Sequence, residues 1–128
     1  MAQNDERFIK TTASLMNALK GLDCTWVPND TSIAVDEEDH HGLRAIIKLP
    51  NGMNISIVVY VNGNLHITFP ATAKANLEII YPVKGKHNIW ELSDGKEDRI
   101  KLTEGTFNED KLRQLIWAIY CAVMALYE

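Results

Sequence analysis

The densest set of side chains able to do chemistry lies between residues 36 and 41, where four acidic residues precede two histidines. Carboxylates and imidazoles both suit divalent metal ions. The candidate ligands are Asp36, Glu38, His40 and His41. Structural metal sites usually draw on spaced ligands, and no second group of His or Cys at ligand spacing accompanies this run. We therefore expect a solvated acidic loop without a cofactor, and metal binding is the alternative.

A histidine and a tyrosine in the middle of the chain form the second candidate. His66 is expected next to Tyr60 across a strand pair, where an imidazole can act as an acid–base group. A lone histidine on a sheet face is more often a surface residue. The chain also has no phosphate loop, nucleophile elbow, zinc-protease motif or dinucleotide fingerprint. We therefore expect a protein that is not an enzyme.

The two cysteines, Cys24 and Cys121, lie in apolar surroundings in the sequence. A free cysteine in such surroundings usually behaves as a small hydrophobic residue. Cys24 has no evident histidine partner or helix N-terminus that would lower its pKa and activate it. We expect both to be reduced core residues rather than a disulfide.

The most informative stretch begins at residue 108, because no charged residue occurs between Leu115 and Tyr127. Thr106 and Glu109 fit a capping box, and Asn108 is a competing N-cap. The stretch predicts a helix that is apolar on every side. Its thirteen uncharged residues are fewer than the roughly 20 that a bilayer requires, so we expect a helix buried between two covering surfaces.

The two sides of this helix are predicted to have different neighbours. One stripe at three- and four-residue spacing is expected to face a sheet: Leu112, Leu115, Ile116, Ile119, Val123 and Leu126. The other side carries Trp117, Cys121 and Met124. It is covered either by the first helix or by a protein partner, since large apolar residues anchor interfaces.

An antiparallel meander is predicted in the middle of the chain, where alternating apolar residues span residues 43–49, 53–61 and 65–69. The predicted buried face consists of Leu43, Ala45, Ile47, Leu49, Ile55, Ile57, Val59, Val61, Leu65, Ile67 and Phe69. The reverse face is mixed and includes Ile46, Val58 and Tyr60. It is either a solvated surface with tolerated apolar residues or a second partner contact.

Turn residues predict the register of this meander. A three-residue loop at residues 50–52 sets Ile47 opposite Ile55. A second three-residue loop, at residues 62–64, sets Val59 opposite Ile67.

The flanking segments predict a first helix and several short strands. The helix spans residues 5–20, starts from a cap at Asn4 or Asp5 and stops at Gly21. Its predicted buried face contains Phe8, Thr12, Leu15, Met16 and Leu19. Short strands are expected at residues 22–27, 32–35, 77–81, 89–92 and 99–103.

Length and charge limit the class of protein. The 128 residues fit a single domain over residues 1–128, with residues 1–4 expected to be disordered. A hydrophobic share of 46% is ordinary for a globular protein, and a net charge of −4 argues against nucleic-acid binding. The polar N-terminus lacks an apolar signal core, so we expect a cytoplasmic protein that does not bind a membrane.

These features predict an α+β domain with an antiparallel meander of about six to eight strands. The N-terminal and C-terminal helices pack on one face, in the order α-β(n)-α. At the level of architecture alone, this order is similar to that of small bacterial secretion-chaperone or regulatory domains. We expect a non-enzymatic protein-interaction module, a small adaptor, chaperone-like or regulatory domain that binds itself as a homodimer or another protein. The alternative is a small-molecule-binding domain with a pocket between the helices and the sheet.

Overall fold

The computed structural model describes residues 6–29, 42–81, 90–92 and 97–127. The elements are α1 (Glu6–Ala18), β1 (Cys24–Asn29), β2 (Gly42–Lys48), β3 (Asn54–Tyr60), β4 (Leu65–Pro70), α2 (Lys74–Ile80), β5 (Trp90–Leu92), β6 (Glu97–Leu102) and α3 (Glu109–Met124). Short 3-10 turns precede α2 and follow α3. The predicted metal-ligand loop, the strand at residues 32–35 and the caps at residues 4 and 5 lie outside the described residues.

All the described strands pair antiparallel in one sheet, in the order β1-β2-β3-β4-β6-β5. Five of them have six or seven residues, and β5 adds only three residues at one edge. The α+β architecture with helices at both ends is confirmed. The described residues hold five strands of six or seven residues and the short β5, so the predicted range of six to eight strands was too high except at its lower limit.

The first predicted hairpin is confirmed in both loop and register. Ile47 lies opposite Ile55, as the three-residue loop requires. The loop closes where the amide of Gly52 donates to the carbonyl of Leu49 at 2.9 Å. Gly52 has a φ of 89°, a conformation that glycine adopts without steric cost.

The second predicted register is wrong by two residues. Val59 lies opposite Leu65 rather than Ile67. The loop does contain three residues, but it starts at Val61 and ends at Gly63, whose φ is 93°. Gly63 therefore occupies the third loop position, as Gly52 does. Because the error is an even number of residues, the predicted buried face is unchanged.

The core lies between the inner face of the sheet and the helices. The residues predicted for that face are buried except Leu43 and Val61, which are partly exposed near strand ends. Ile100 and Leu102 of β6 extend the same face. Residues of α1, α2 and α3 close the core from one side, which confirms that the two terminal helices share a face of the sheet.

The buried face of α1 differs from the prediction. It consists of Thr11, Leu15 and Ala18, followed by Leu19, whereas Met16 is about half exposed. The Thr11 hydroxyl donates to the carbonyl of Gly63 at 2.9 Å and so fixes the rotation of the helix over the β3–β4 turn. The prediction favoured the larger apolar side chain of Met16 and missed this hydrogen bond.

The segment at residues 77–81, predicted as a strand, belongs to α2 and its C-terminal cap. Ala73 and Leu77 are buried whereas Ala75 between them is exposed, which fits the helical period and not the alternation of a strand. Asn76 attaches α2 to the C-terminal end of α3, because its side-chain amide donates to the carbonyl of Ala122 at 3.1 Å.

Both ends of α3 are held by asparagines. Asn108 is the N-cap and accepts from the amide of Lys111 at 2.9 Å, so the capping box at Thr106 was wrong. The Thr106 hydroxyl instead donates to the carbonyl of Thr103. At the other end, Asn51 donates to the carbonyl of Val123 at 3.1 Å, which satisfies one of the carbonyls that a helix end leaves open. No described helix is long and apolar enough to cross a bilayer.

Candidate functional site

Among the described residues, two surfaces combine a concave shape with side chains that can bind a partner. The first is an apolar groove of about 340 Å³ between α2 and α3, which we call the α2–α3 groove. It is lined by Ile80, Tyr81, Gln114, Trp117, Ala118 and Cys121. This lining contains no Asp, Glu, Lys, Arg or His, which is typical of the centre of a protein interface.

The turn after α1 covers one edge of Trp117, and the α2–α3 groove lies open beside it. The position that a Cβ would take at Gly21 lies 3.8 Å from Cζ2 of the indole, so this edge packs on the turn after α1. The residue is 37% exposed, so part of the ring remains accessible. Tyr120 supports the indole from within α3, with 5.5 Å between the ring centroids.

Two of the residues predicted on the outer side of α3, Trp117 and Cys121, line this groove together. Met124 is not among its lining residues and packs partly against the core. The prediction that Cys121 is a core residue was wrong, because it is exposed. Cys24 is partly buried, and neither thiol forms a disulfide. Burial raises the pKa of the Cys24 thiol and keeps it protonated at neutral pH.

The second surface lies on the opposite face of the sheet, away from the helices. It is a polar recess of about 220 Å³, which we call the sheet-face recess. It is lined by Arg44, Ser56, Val58, Tyr60, His66, Thr68, Glu97 and Arg99. These side chains come from four neighbouring strands, β2, β3, β4 and β6.

Strand register explains how these residues converge. Arg44, Val58 and His66 form one row across β2, β3 and β4. The next row places Ser56 beside Thr68, with Arg99 beyond them on β6. Val58 is only 6% exposed. It therefore forms an apolar floor at the centre of the first row, between Arg44 and His66.

Hydrogen bonds order the polar side chains around this floor. Arg44 Nη1 donates to Ser56 Oγ at 2.8 Å. The Tyr60 hydroxyl lies 3.1 Å from His66 Nδ1, and the two rings meet edge to face with centroids 4.7 Å apart. The predicted proximity of Tyr60 and His66 is therefore confirmed, and which group donates depends on the histidine tautomer.

The ionisation of Tyr60 reflects the mixture of burial and positive charge in the recess. Burial raises the pKa of the phenol, and the positive charges of Arg99 and Arg44 oppose part of that rise. The phenol is therefore a neutral hydrogen-bonding group at neutral pH. The two guanidinium groups both act on it, although their strands lie on opposite sides of β3.

The sequence predicted some, but not all, of the residues that line the groove and the recess. Val58 and Tyr60 were predicted as partner contacts and line the recess, whereas Ile46, which pairs with Ser56, does not. Arg99 was missed as a neighbour of these residues. Its strand pairs with β4 only after the chain has passed through α2, and no short turn signals that pairing.

The structure neither supports nor tests a metal site at residues 36–41, which lie outside its described ranges. Within those ranges, no three or more His, Cys, Asp or Glu side chains group closely enough to hold an ion. Comparisons of the chain with protein-family models, with curated proteins and with solved structures gave no match.

Proposed function

We propose that the protein is a non-enzymatic protein-interaction module and that it self-associates as a homodimer through the α2–α3 groove. The observation that carries this proposal is the exposure of large apolar side chains at one place. Ile79 is 81% exposed and Ile80 is 50% exposed, and Ile80 lines the groove together with the partly exposed Trp117. Single exposed apolar residues are ordinary, but a contiguous patch marks an interaction site.

The shape of this surface favours a second copy of the chain as the partner. A two-fold interface needs a surface that is complementary to itself. Here Ile79, in the last turn of α2, protrudes into solvent, and the next residue, Ile80, lines the groove. In a symmetric dimer, the protruding isoleucine of each protomer would enter the groove of the other.

The chemistry of the groove agrees with this arrangement. Large apolar and aromatic side chains in desolvated positions provide most of the binding energy of interfaces. Trp117 and Tyr81 supply the aromatic surface, and Gln114 provides a polar group at the edge. The same features suit a role as a small adaptor, chaperone-like or regulatory domain, with the dimer as its working form.

A pocket between the helices and the sheet has less support. In that layer, Ile57, Ile67 and Ile119 are completely buried and belong to one continuous core. Protein interiors are packed as densely as organic crystals, so a ligand there would have to displace core side chains.

Sedimentation velocity over a range of protein concentrations tests the proposed dimer. We expect the wild-type chain to sediment as a dimer that dissociates on dilution, and the Ile80→Asp variant to stay monomeric. A carboxylate in the groove would lose its hydration on association, which disfavours the dimer. Ile9→Asp is the matched control, because Ile9 is 54% exposed on α1 and is not among the residues that line the groove.

Two results would overturn this proposal. One is a wild-type chain that remains monomeric at every concentration. The other is a dimer that dissociates in the Ile9→Asp variant and persists in the Ile80→Asp variant. That result would show that the dimer interface lies on the exposed face of α1. Thermal unfolding followed by circular dichroism verifies that each variant is folded, since an exposed substitution is expected to change stability by no more than about 0.5 kcal/mol.

A further inference from the structure

The sheet-face recess takes no part in the proposed dimer, because it lies on the face of the sheet that the helices leave uncovered. It nevertheless brings several polar and charged side chains together in one concave place. Two arginines, a tyrosine and a histidine surround a floor formed by a nearly buried valine. A concave site with a few convergent polar groups is the usual form of a small-ligand site.

The two arginines approach the recess from opposite sides. Arg44 lies on β2 and Arg99 on β6, with β3 and β4 between them. Three strand spacings correspond to roughly 14 Å between the two backbones. Both long side chains line the same recess, so their guanidinium groups flank the space above Val58 and Thr68.

Guanidinium groups in this arrangement favour a particular ligand chemistry. The planar fork of an arginine matches a carboxylate or a phosphate, to which it can donate two parallel hydrogen bonds. Ser56 orders the fork of Arg44 by accepting a hydrogen bond from Nη1. The hydroxyl groups of Tyr60 and Thr68 add neutral donors on the same recess.

We propose that the sheet-face recess binds a small oxyanion, either a phosphate or a carboxylate group, held between Arg44 and Arg99. Its volume of about 220 Å³ is below the range of roughly 300–1,000 Å³ found for sites of drug-sized ligands. The occupant is therefore a small anion or the anionic group of a larger molecule that extends into solvent.

Glu97 also lines the recess and restricts which oxyanions the recess favours. Its carboxylate repels a simple anion, but it accepts hydrogen bonds from a ligand that also carries an amine or a hydroxyl group. The full ligand is therefore an oxyanion with a hydrogen-bond donor at its other end. For a simple anion such as phosphate, removing the charge of Glu97 tightens binding.

Titration calorimetry at constant ionic strength, with inorganic phosphate and malonate in separate arms, tests this inference. We expect saturable binding of at least one of the two, and the stronger arm identifies the type of group. In two-dimensional NMR spectra, the signals of His66 and Tyr60 shift in the same titration. Arg44→Gln and Arg99→Gln each weaken binding at least tenfold, and Glu97→Gln strengthens it a few-fold.

Lys101→Gln is the matched control, because Lys101 also lies on β6, pairs with His66 and is not among the residues that line the recess. We expect it to change the affinity less than twofold. Arg44→Lys keeps the charge and loses the fork, so it should bind more weakly than wild type and more tightly than Arg44→Gln. Absence of saturable binding in both arms would overturn the inference, as would equal losses from Lys101→Gln and Arg99→Gln.

Discussion

The two sides of α3 are similarly apolar in sequence and differ in what covers them. On the inner side, Ile116 and Ile119 are completely buried against the sheet. On the outer side, Trp117 and Cys121 line an open groove beside α2. Apolar composition therefore predicts that a helix surface will be covered, whereas the identity of the covering surface depends on the rest of the fold and on partners.

The inner side should be the more sensitive to loss of volume. Ile119→Ala leaves a cavity that the surrounding core cannot fill, so we expect it to lower the free energy of unfolding by about 2–5 kcal/mol. Urea denaturation measures this change. Cys121→Ala, on the outer side of the same helix, should change the free energy of unfolding by at most about 0.5 kcal/mol when the protein is monomeric. Equal changes in the free energy of unfolding for the two variants would show that the inner and outer sides of α3 do not differ in how tightly they are packed.

A smaller effect is expected at the N-terminus of α3, which supports both sides of the helix through its backbone. Asn108→Ala removes the side chain that accepts from the amide of Lys111, so it should cost about 1 kcal/mol of stability. The same urea titration on Thr106→Ala serves as the control, with a change below about 0.5 kcal/mol. A larger cost at Thr106 than at Asn108 would restore the capping box that the sequence suggested.

The surface that covers the inner side of α3 was predictable from the sequence, because its strands are joined by short hairpin loops. Gly52 identifies the loop of the first hairpin, and alternation in the adjoining strands identifies the buried face. Gly63 carried the same information for the second hairpin, since it takes the third loop position with nearly the same φ as Gly52. The predicted loop was placed one residue too late because Asn64 was counted as a loop residue.

The outer side was harder to predict because its neighbour, α2, resembles a strand in sequence. Residues 77–81 are a short, mostly apolar segment, and periodicity does not separate a short strand from a short helix. The position of α2 depends on Asn76, which bonds to Ala122 far along the chain. The sheet-face recess was only partly predictable for the same reason, since Arg99 reaches it through a long-range strand pairing.

The central claim, that a second protomer covers the α2–α3 groove, is tested most directly at Cys121. In a Cys24→Ser background, Cys121 is the only thiol, and its rate of alkylation by N-ethylmaleimide reports whether the groove is open. We expect this rate to fall as protein concentration rises, and to stay at its dilute value when Ile80→Asp is added. A rate that is independent of concentration in the wild-type groove would contradict the proposed dimer.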